Sequence, residues 1–196
     1  MTAMLELYGI KLKIPERVYE PDEDTFLLIS ALQNSGLAGK TCLEIGCGSG
    51  IITLFLAKRA KSVVAADINP EAVASAKENA ALNSIKNAKF IKSDLFSNVT
   101  GTFDLIAFNP PYLPDEPESR DIALDGGKDG RKTINRFLRS VPKFLNENGV
   151  LFILESSLSQ YPKTIRHLKN AGFDAQIVAE KKLGWEVLVV IRAIRQ

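Results

Sequence analysis

Apolar and polar positions follow two rhythms along this chain. From Leu5 to Ile14 they alternate with a period of two, the pattern of a strand or a hairpin. "PDEDTFLLISALQNSG" (21–36) opens on acids, spaces its apolar residues along one helix face and closes on Gly36, which predicts a helix. Short apolar runs then take turns with longer helical stretches. "KTCLEIGCG" (40–48), "SVVAADIN" (62–69), "AKFIKSDL" (88–95), "FDLIAFN" (103–109) and "VLFILES" (150–156) read as strands. "SGIITLFLAKRA" (49–60), "PEAVASAKENAALNS" (70–84), "TINRFLRSVPKFLNENG" (133–149) and "SQYPKTIRHLKNAG" (159–172) read as helices. Pro70 suits the first turn of its helix, and Pro142 should bend or interrupt the helix it sits in. The last stretch, 173–195, holds two apolar runs joined at Gly184 with no helix between them, so they should pair antiparallel. The expected fold is α/β: a doubly wound, mostly parallel sheet with helices on both faces, closed by an antiparallel C-terminal hairpin.

Length adds that 196 residues make one domain, 1–196, rather than two. With 45% hydrophobic and 24% charged residues and a net charge of +2, nothing points to a nucleic-acid groove or a membrane surface. The clusters Lys58-Arg59-Lys61 and Lys86-Lys89-Lys92 are spread over helix ends and a strand, as solvated faces are. The two cysteines, Cys42 and Cys47, and the single histidine, His167, offer no disulfide framework and no zinc spacing. That fits a reducing, cytoplasmic setting. No apolar run reaches the length of a membrane span, and the polar, alternating start is unlike a signal peptide. His167 sits on an expected surface helix with no candidate partner.

Candidate chemistry collects at the strand ends. In "LEIGCGSG", Gly46, Gly48 and Gly50 permit a tight turn and close approach of a ligand to the backbone. The spacing is G-x-G-x-G, not the dinucleotide fingerprint, and by itself it marks only a strand-to-helix turn. Glu44, Asp67 and Asp94 sharpen the reading, because they fall at three successive strand ends, where α/β sheets bind ligands. They supply acceptors for hydroxyls, an ammonium and an exocyclic amine, and no basic cluster waits for phosphates. A positively charged nucleoside without pyrophosphate is expected, and S-adenosylmethionine fits. After the fourth of these strands comes "NPPY". The side-chain oxygen of Asn109 and the backbone oxygen of Pro110 can accept the two N–H groups of a primary amide or an exocyclic amine. Pro110 and Pro111 hold the backbone, and Tyr112 offers a flat face. No catalytic metal is called for. Residues 115–132 lack periodicity and follow directly, so a substrate loop is expected there.

"LEIGCGSG", "DINPEAV" and "SDLF" resemble the successive motifs of Rossmann-like S-adenosylmethionine-dependent methyltransferases, and "FNPPYLP" resembles their amino-methylating branch. "VYEPDEDTFLL" and "ALDGGKDGR" are similar to segments of the HemK family of protein-glutamine N5-methyltransferases, in the short form of archaea and eukaryotes. The resemblance runs from about residue 15 to 196, leaving 1–20 as an N-terminal extension without the helical domain of the bacterial proteins. It implies a seven-stranded sheet in the order 3-2-1-4-5-7-6 with the last strand antiparallel. It implies a class-I release factor as substrate, methylated on the glutamine of its Gly-Gly-Gln loop in translation termination. It also implies a small zinc-binding activator of the Trm family, expected at the edge strand 88–95. Carried over residue by residue, Thr25, Glu44, Gly46, Gly48, Asp67, Asp94, Leu95 and Asn109 should line the cofactor, with Asp67 on the ribose hydroxyls and Asp94 near the adenine amine. Asn109, Pro110 and Tyr112 should be catalytic, and Asn109, Pro110, Pro111 and Tyr112 should hold the substrate. Thr25 is also a helix-capping residue type. Adenine N6-methylation of DNA or RNA uses the same tetrapeptide and stays open, as does a protein-lysine or small-molecule acceptor. In the 115–132 loop, Arg131 or Lys128 is expected to hold carbonyls of the substrate, with Gly126, Gly127 and Gly130 letting the loop fold over it.

Overall fold

The computed structural model describes residues 4–114 and 126–196. The N-terminal alternation is a hairpin, β1 (Met4–Leu7) and β2 (Ile10–Lys13), turned at Tyr8-Gly9, where both residues have positive φ. Helix α1 (Glu23–Leu32) follows, then β3 (Thr41–Ile45), α2 (Ile51–Ala57), β4 (Ser62–Asp67), α3 (Pro70–Leu82), β5 (Ala88–Lys92) and β6 (Phe103–Phe108). After the undescribed stretch come α4 (Lys132–Ser140), β7 (Leu145–Ser156), α5 (Pro162–Asn170), β8 (Phe173–Leu183) and β9 (Glu186–Arg195).

The main sheet has seven strands in the order β5-β4-β3-β6-β7-β9-β8. Strands β5, β4, β3, β6 and β7 are parallel, and β9 runs antiparallel to both neighbours. This is the order and polarity implied by the sequence resemblance. Alternate residues of each strand feed opposite layers, as the two-residue repeat requires. Leu105 and Ala107 of β6 pack with α1, α2 and the β1–β2 hairpin, whereas Ile106 and Phe108 pack with α4 and α5. Asn79 of α3 and Asn83 at its C-cap dock the small hairpin. Asn79 and Asn83 each accept a backbone N–H of β2 and donate to a carbonyl of the same strand. No helix among the described residues is long and apolar enough to cross a membrane.

One expected element differs. The helix expected through 149 stops at Ser140, continues as one 3-10 turn over Val141–Lys143, and β7 already starts at Leu145. Pro142 has no N–H to donate into the preceding turn and its ring crowds that turn's carbonyl, so of the two outcomes expected there the helix is interrupted, and it does not resume. Asn146 then donates to Asp104 of β6 across 2.7 Å, which draws "LNENG" alongside the sheet. His167 lies exposed in the last turn of α5, as expected.

Candidate active site

Because β3, β4, β5 and β6 run parallel, their C-terminal ends share one edge of the sheet. The chain order reverses between β3 and β6, and a crevice opens there. The glycine turn after β3 and the tetrapeptide after β6 meet across it. A Cβ on Gly46 would lie 3.6 Å from the Asn109 carbonyl oxygen. Gly50 starts α2 at φ 87°, and a Cβ there would come within 2.9 Å of Ala76 on α3, so this glycine serves helix packing.

The crevice is an open cleft of about 1840 Å³. Single small-molecule sites span roughly 300–1,000 Å³, so there is room for two ligands side by side. Thr25, Glu44, Gly46, Gly48, Asp67, Asp94, Leu95, Asn109, Pro110, Pro111 and Tyr112 all line it. The structure therefore brings together the residues expected to hold the cofactor and those of the tetrapeptide, but Lys128 and Arg131 of the expected substrate loop are not among the lining residues. A smaller hollow of about 380 Å³, lined by Lys40, Val178 and Arg192 among others, shares none of them.

Asp67 faces the glycine turn. Its Oδ2 accepts the Gly48 N–H at 2.9 Å and its Oδ1 the Asn69 N–H at 2.8 Å. Each carboxylate oxygen keeps a second lone pair for a hydroxyl. Burial raises its pKa, and those backbone N–H groups pull it back down. Glu44 is buried under the turn and accepts the Thr53 hydroxyl. Burial holds its pKa well above the carboxylate range, with Asp67 adding to the rise. Asp94 is exposed and takes Arg136 on Oδ2 at 2.7 Å. Both partners are about half exposed, so the pair is weak and leaves Asp94 open to exchange of partners. Leu95 follows at φ 51°. The thiols of Cys42 and Cys47 are buried, and burial raises both pKa values, Cys42 to about 12, so neither is a nucleophile.

The tetrapeptide is organised by a residue that pattern reading passed over. Asp24, 3% exposed in the first turn of α1, accepts the Asn109 Nδ2–H at 3.0 Å and the Tyr112 hydroxyl at 3.4 Å on the same oxygen. Tyr19 is close enough that Asp24, after burial, helps to raise its pKa. With its nitrogen held by Asp24, the Asn109 amide turns Oδ1 the other way, and that oxygen is buried with no hydrogen-bond partner. A buried acceptor without a donor costs free energy unless a ligand supplies one. Thr25 is not the helix cap. Asp22 fills that place by accepting the Glu23 N–H, while the Thr25 hydroxyl donates to Asp24. The pKa of Tyr112 is raised by burial first and then by Asp24, so it stays a neutral phenol. Two sequence signals covered Asp24, the acid run "DED", which also reads as the start of any helix, and the family segment "VYEPDEDTFLL", and neither says what it bonds.

The described end of the expected substrate loop does something other than expected; residues 115–125 lie outside the described residues. Gly126 and Gly130 stack on the tetrapeptide's own backbone. A Cβ on Gly126 would fall 2.7 Å from the Pro111 oxygen, and one on Gly130 would overlap the Tyr112 oxygen. The Gly126 N–H donates to the Leu113 oxygen at 2.7 Å. Arg131, expected to hold substrate carbonyls, points inward and is 3% exposed. It bonds Glu155 at 3.1 Å, the Thr164 hydroxyl at 2.8 Å and the Ser159 carbonyl. Its guanidinium fork is used up inside the protein, so the carbonyls it holds belong to its own chain.

A seven-stranded sheet of this order, with a glycine turn, strand-end acids and an Asn-Pro-Pro-Tyr corner around one cleft, defines a class I methyltransferase. Comparison with known proteins narrows this. The methyltransferase small domain family matches residues 18–189, and the chain belongs to it. A Methanocaldococcus jannaschii protein that carries the name protein N5-glutamine methyltransferase is 48% identical, over 98% of this chain and 99% of its own length. Methyltransferase HEMK2 of Homo sapiens is 35% identical, over 89% of this chain and 88% of its own. Among solved structures, the E. cuniculi Mtq2–Trm112 complex responsible for methylation of the eRF1 translation termination factor superposes with a TM-score of 0.75 at 30% identity, covering 92% of this chain and 99% of that one.

Proposed function

We propose that this methyltransferase transfers a methyl group from S-adenosylmethionine to the side-chain nitrogen of the glutamine in the Gly-Gly-Gln loop of a class-I release factor, in the cytoplasm. The observation that carries the reading is the buried, unpartnered Oδ1 of Asn109, held in place by Asp24. An amide nitrogen is a poor nucleophile, because its lone pair is delocalised into the carbonyl. Two fixed acceptors, Asn109 Oδ1 and the Pro110 oxygen, would take its two N–H groups, orient it and stabilise the positive charge that grows on it. Alignment of this kind can supply on the order of 7–11 kcal/mol in the best cases. Tyr112, neutral throughout, would cover the flat face of the amide. Gly126 and Gly130 would back the clamp from behind, and residues 115–125 complete the loop we assign to substrate contact.

The cofactor fits the donor set. Asp67 has lone pairs left for hydroxyls and sets a negative field for a cation, Gly46 and Gly48 open the backbone to a ligand, and Glu44 lies buried under the turn. Thr25, Asp94, Leu95 and Asn109 complete the residues we assign to it. When bound, S-adenosylmethionine supplies an electrophilic methyl group on a sulfonium whose sulfur departs as a neutral thioether. The names of the relatives support glutamine and a termination factor as the acceptor. Adenine is the weaker reading. An adenine must be unstacked and its strand held by phosphate contacts. Yet of the basic residues that line the cleft among the described residues, Arg17 is paired with Glu71 and Arg136 with Asp94, which leaves Lys132 to meet a phosphate strand. The complex with Trm112 in the related structure supports a small zinc-binding activator of that family, which we assign to the β5 edge.

Labelled cofactor offered with purified release factor tests the acceptor, beside the same factor with its loop Gln→Ala and beside single- and double-stranded oligonucleotides. Label on the intact factor alone is expected. Equal labelling of both factors, or label on adenine, overturns the assignment.

A further inference from the structure

The chain's one tryptophan is not in the core. Trp185 is 80% exposed, the most exposed of the large apolar residues among those described. It stands with Gly184 at the two-residue tip of the β8–β9 hairpin. Burying an aromatic of this size gains far more than leaving it in water, so a lone solvent-facing tryptophan is an anchor in search of a surface.

The tip is braced against the elements that build the clamp. At the foot of β9, Glu186 accepts the Ser156 hydroxyl at 2.5 Å and the Val187 N–H donates to the Ser157 hydroxyl at 3.1 Å. Both serines lie at the C-terminal end of β7, next to the strand that carries Asn109. On β8, Lys181 pairs with Glu23, the neighbour of Asp24. Glu186 is also near enough to Tyr112 to help raise its pKa. The hairpin tip is therefore a fixed post at the Tyr112 side of the cleft, and the glycine turn and Asp67 lie beyond Asn109.

We propose that Trp185 docks the folded acceptor protein, by packing on an apolar spot of its surface beside the glutamine loop. The proposal rests on the reading of the acceptor as a protein. The local charge favours a protein over a nucleic-acid strand: Lys181 is neutralised by Glu23, and the residue after the tryptophan, Glu186, is acidic. A base stacked on Trp185 would bring its phosphates to a tip whose immediate flanks, Leu183 and Glu186, carry no positive charge.

Enzyme produced with 5-fluorotryptophan carries a single fluorine label. Its resonance should shift and broaden when intact release factor is added at saturation, and stay in place with cofactor or oligonucleotide alone. Trp185→Ala should raise the KM for the factor about tenfold or more, with kcat changed by less than about twofold and cofactor affinity untouched. Trp185→Phe should recover most of the loss. At 80% exposure the substitution opens no core, so a folded variant is assured by its melting curve. An unchanged KM in Trp185→Ala overturns the proposal. So does a resonance that stays still while the factor is turned over, or one that moves with oligonucleotide and not with protein. If wild-type enzyme methylates no release factor at all, the acceptor reading fails and takes this proposal with it. If turnover is normal and the KM is unmoved, the docking role alone fails.

Discussion

At the scale of single residues, the clamp depends on which way one amide faces. Asp24 decides that by accepting the Asn109 nitrogen. Asn109→Ala removes an acceptor aimed at developing charge and should lower kcat by about 10²–10³-fold. It sits at a strand end, so the melting curve should barely move. Asp24→Ala leaves the Asn109 amide able to turn over. We expect a loss on the order of tenfold in kcat, from disordered alignment of an intact group. Steady-state kinetics on both variants, with melting curves, checks the pair. Glu44 makes a separate prediction. Burial raises its folded pKa well above the ordinary carboxylate value, so it still holds a proton where an exposed glutamate has lost it. A cationic ligand favours the ionised form. Cofactor binding should therefore release protons and strengthen as pH rises toward the folded pKa of Glu44. Calorimetry in buffers of different ionisation enthalpy reads the proton count, and Glu44→Gln should abolish it.

At the scale of elements, Arg131 ties the Gly126–Gly130 turn, the end of β7 and α5 into one buried knot. Breaking one partner of a buried pair costs about 3–5 kcal/mol, so Arg131→Met should lower the melting temperature by on the order of 10 °C. Burial dominates the Glu155 carboxyl and raises its pKa to about 7 even with Arg131 beside it. Without the arginine it rises further. Between about pH 7 and that higher value the folded variant holds a proton that the unfolded chain has released. The stability deficit against wild type should therefore widen above about pH 7. Melting curves across pH show this directly. At the other end of the sheet, β5 is an edge strand with Lys89 and Lys92 exposed. Edge strands accept added strands unless charged gatekeepers forbid it. Co-expressed activator should protect the β5 amides from hydrogen exchange. A complex that leaves them unprotected would move the interface elsewhere.

At the scale of the whole molecule, ligand binding and folding are linked. Saturating S-adenosylmethionine at about 100 times its Kd should stabilise the protein by about 2.7 kcal/mol, and an unmoved melting curve would contradict the cofactor assignment. The sheet and the cleft were legible in the sequence because their signals are local or ordered along the chain, whereas the strand order came from the family resemblance that the motifs carry. Strand periods, the glycine turn, the acids at strand ends and "NPPY" each lie within a few residues, and parallel α/β connectivity converts their order into proximity. The end of the fourth expected helix was misjudged, because Pro142 competes with an apolar pattern that continues past it. Only the tertiary structure decided the rest. Asp24 and Asn109 are 85 residues apart, and Arg131 and Glu155 are 24 apart. No periodicity records that an acid in a helix start will orient an amide at a strand end. Nor does any pattern record that an arginine in a glycine-rich loop will turn inward. Such pairings follow from the packing of side chains in three dimensions, where burial and unsatisfied hydrogen bonds select the partner. Composition and local order determined which chemistry this protein holds; the fold determined which residue holds which.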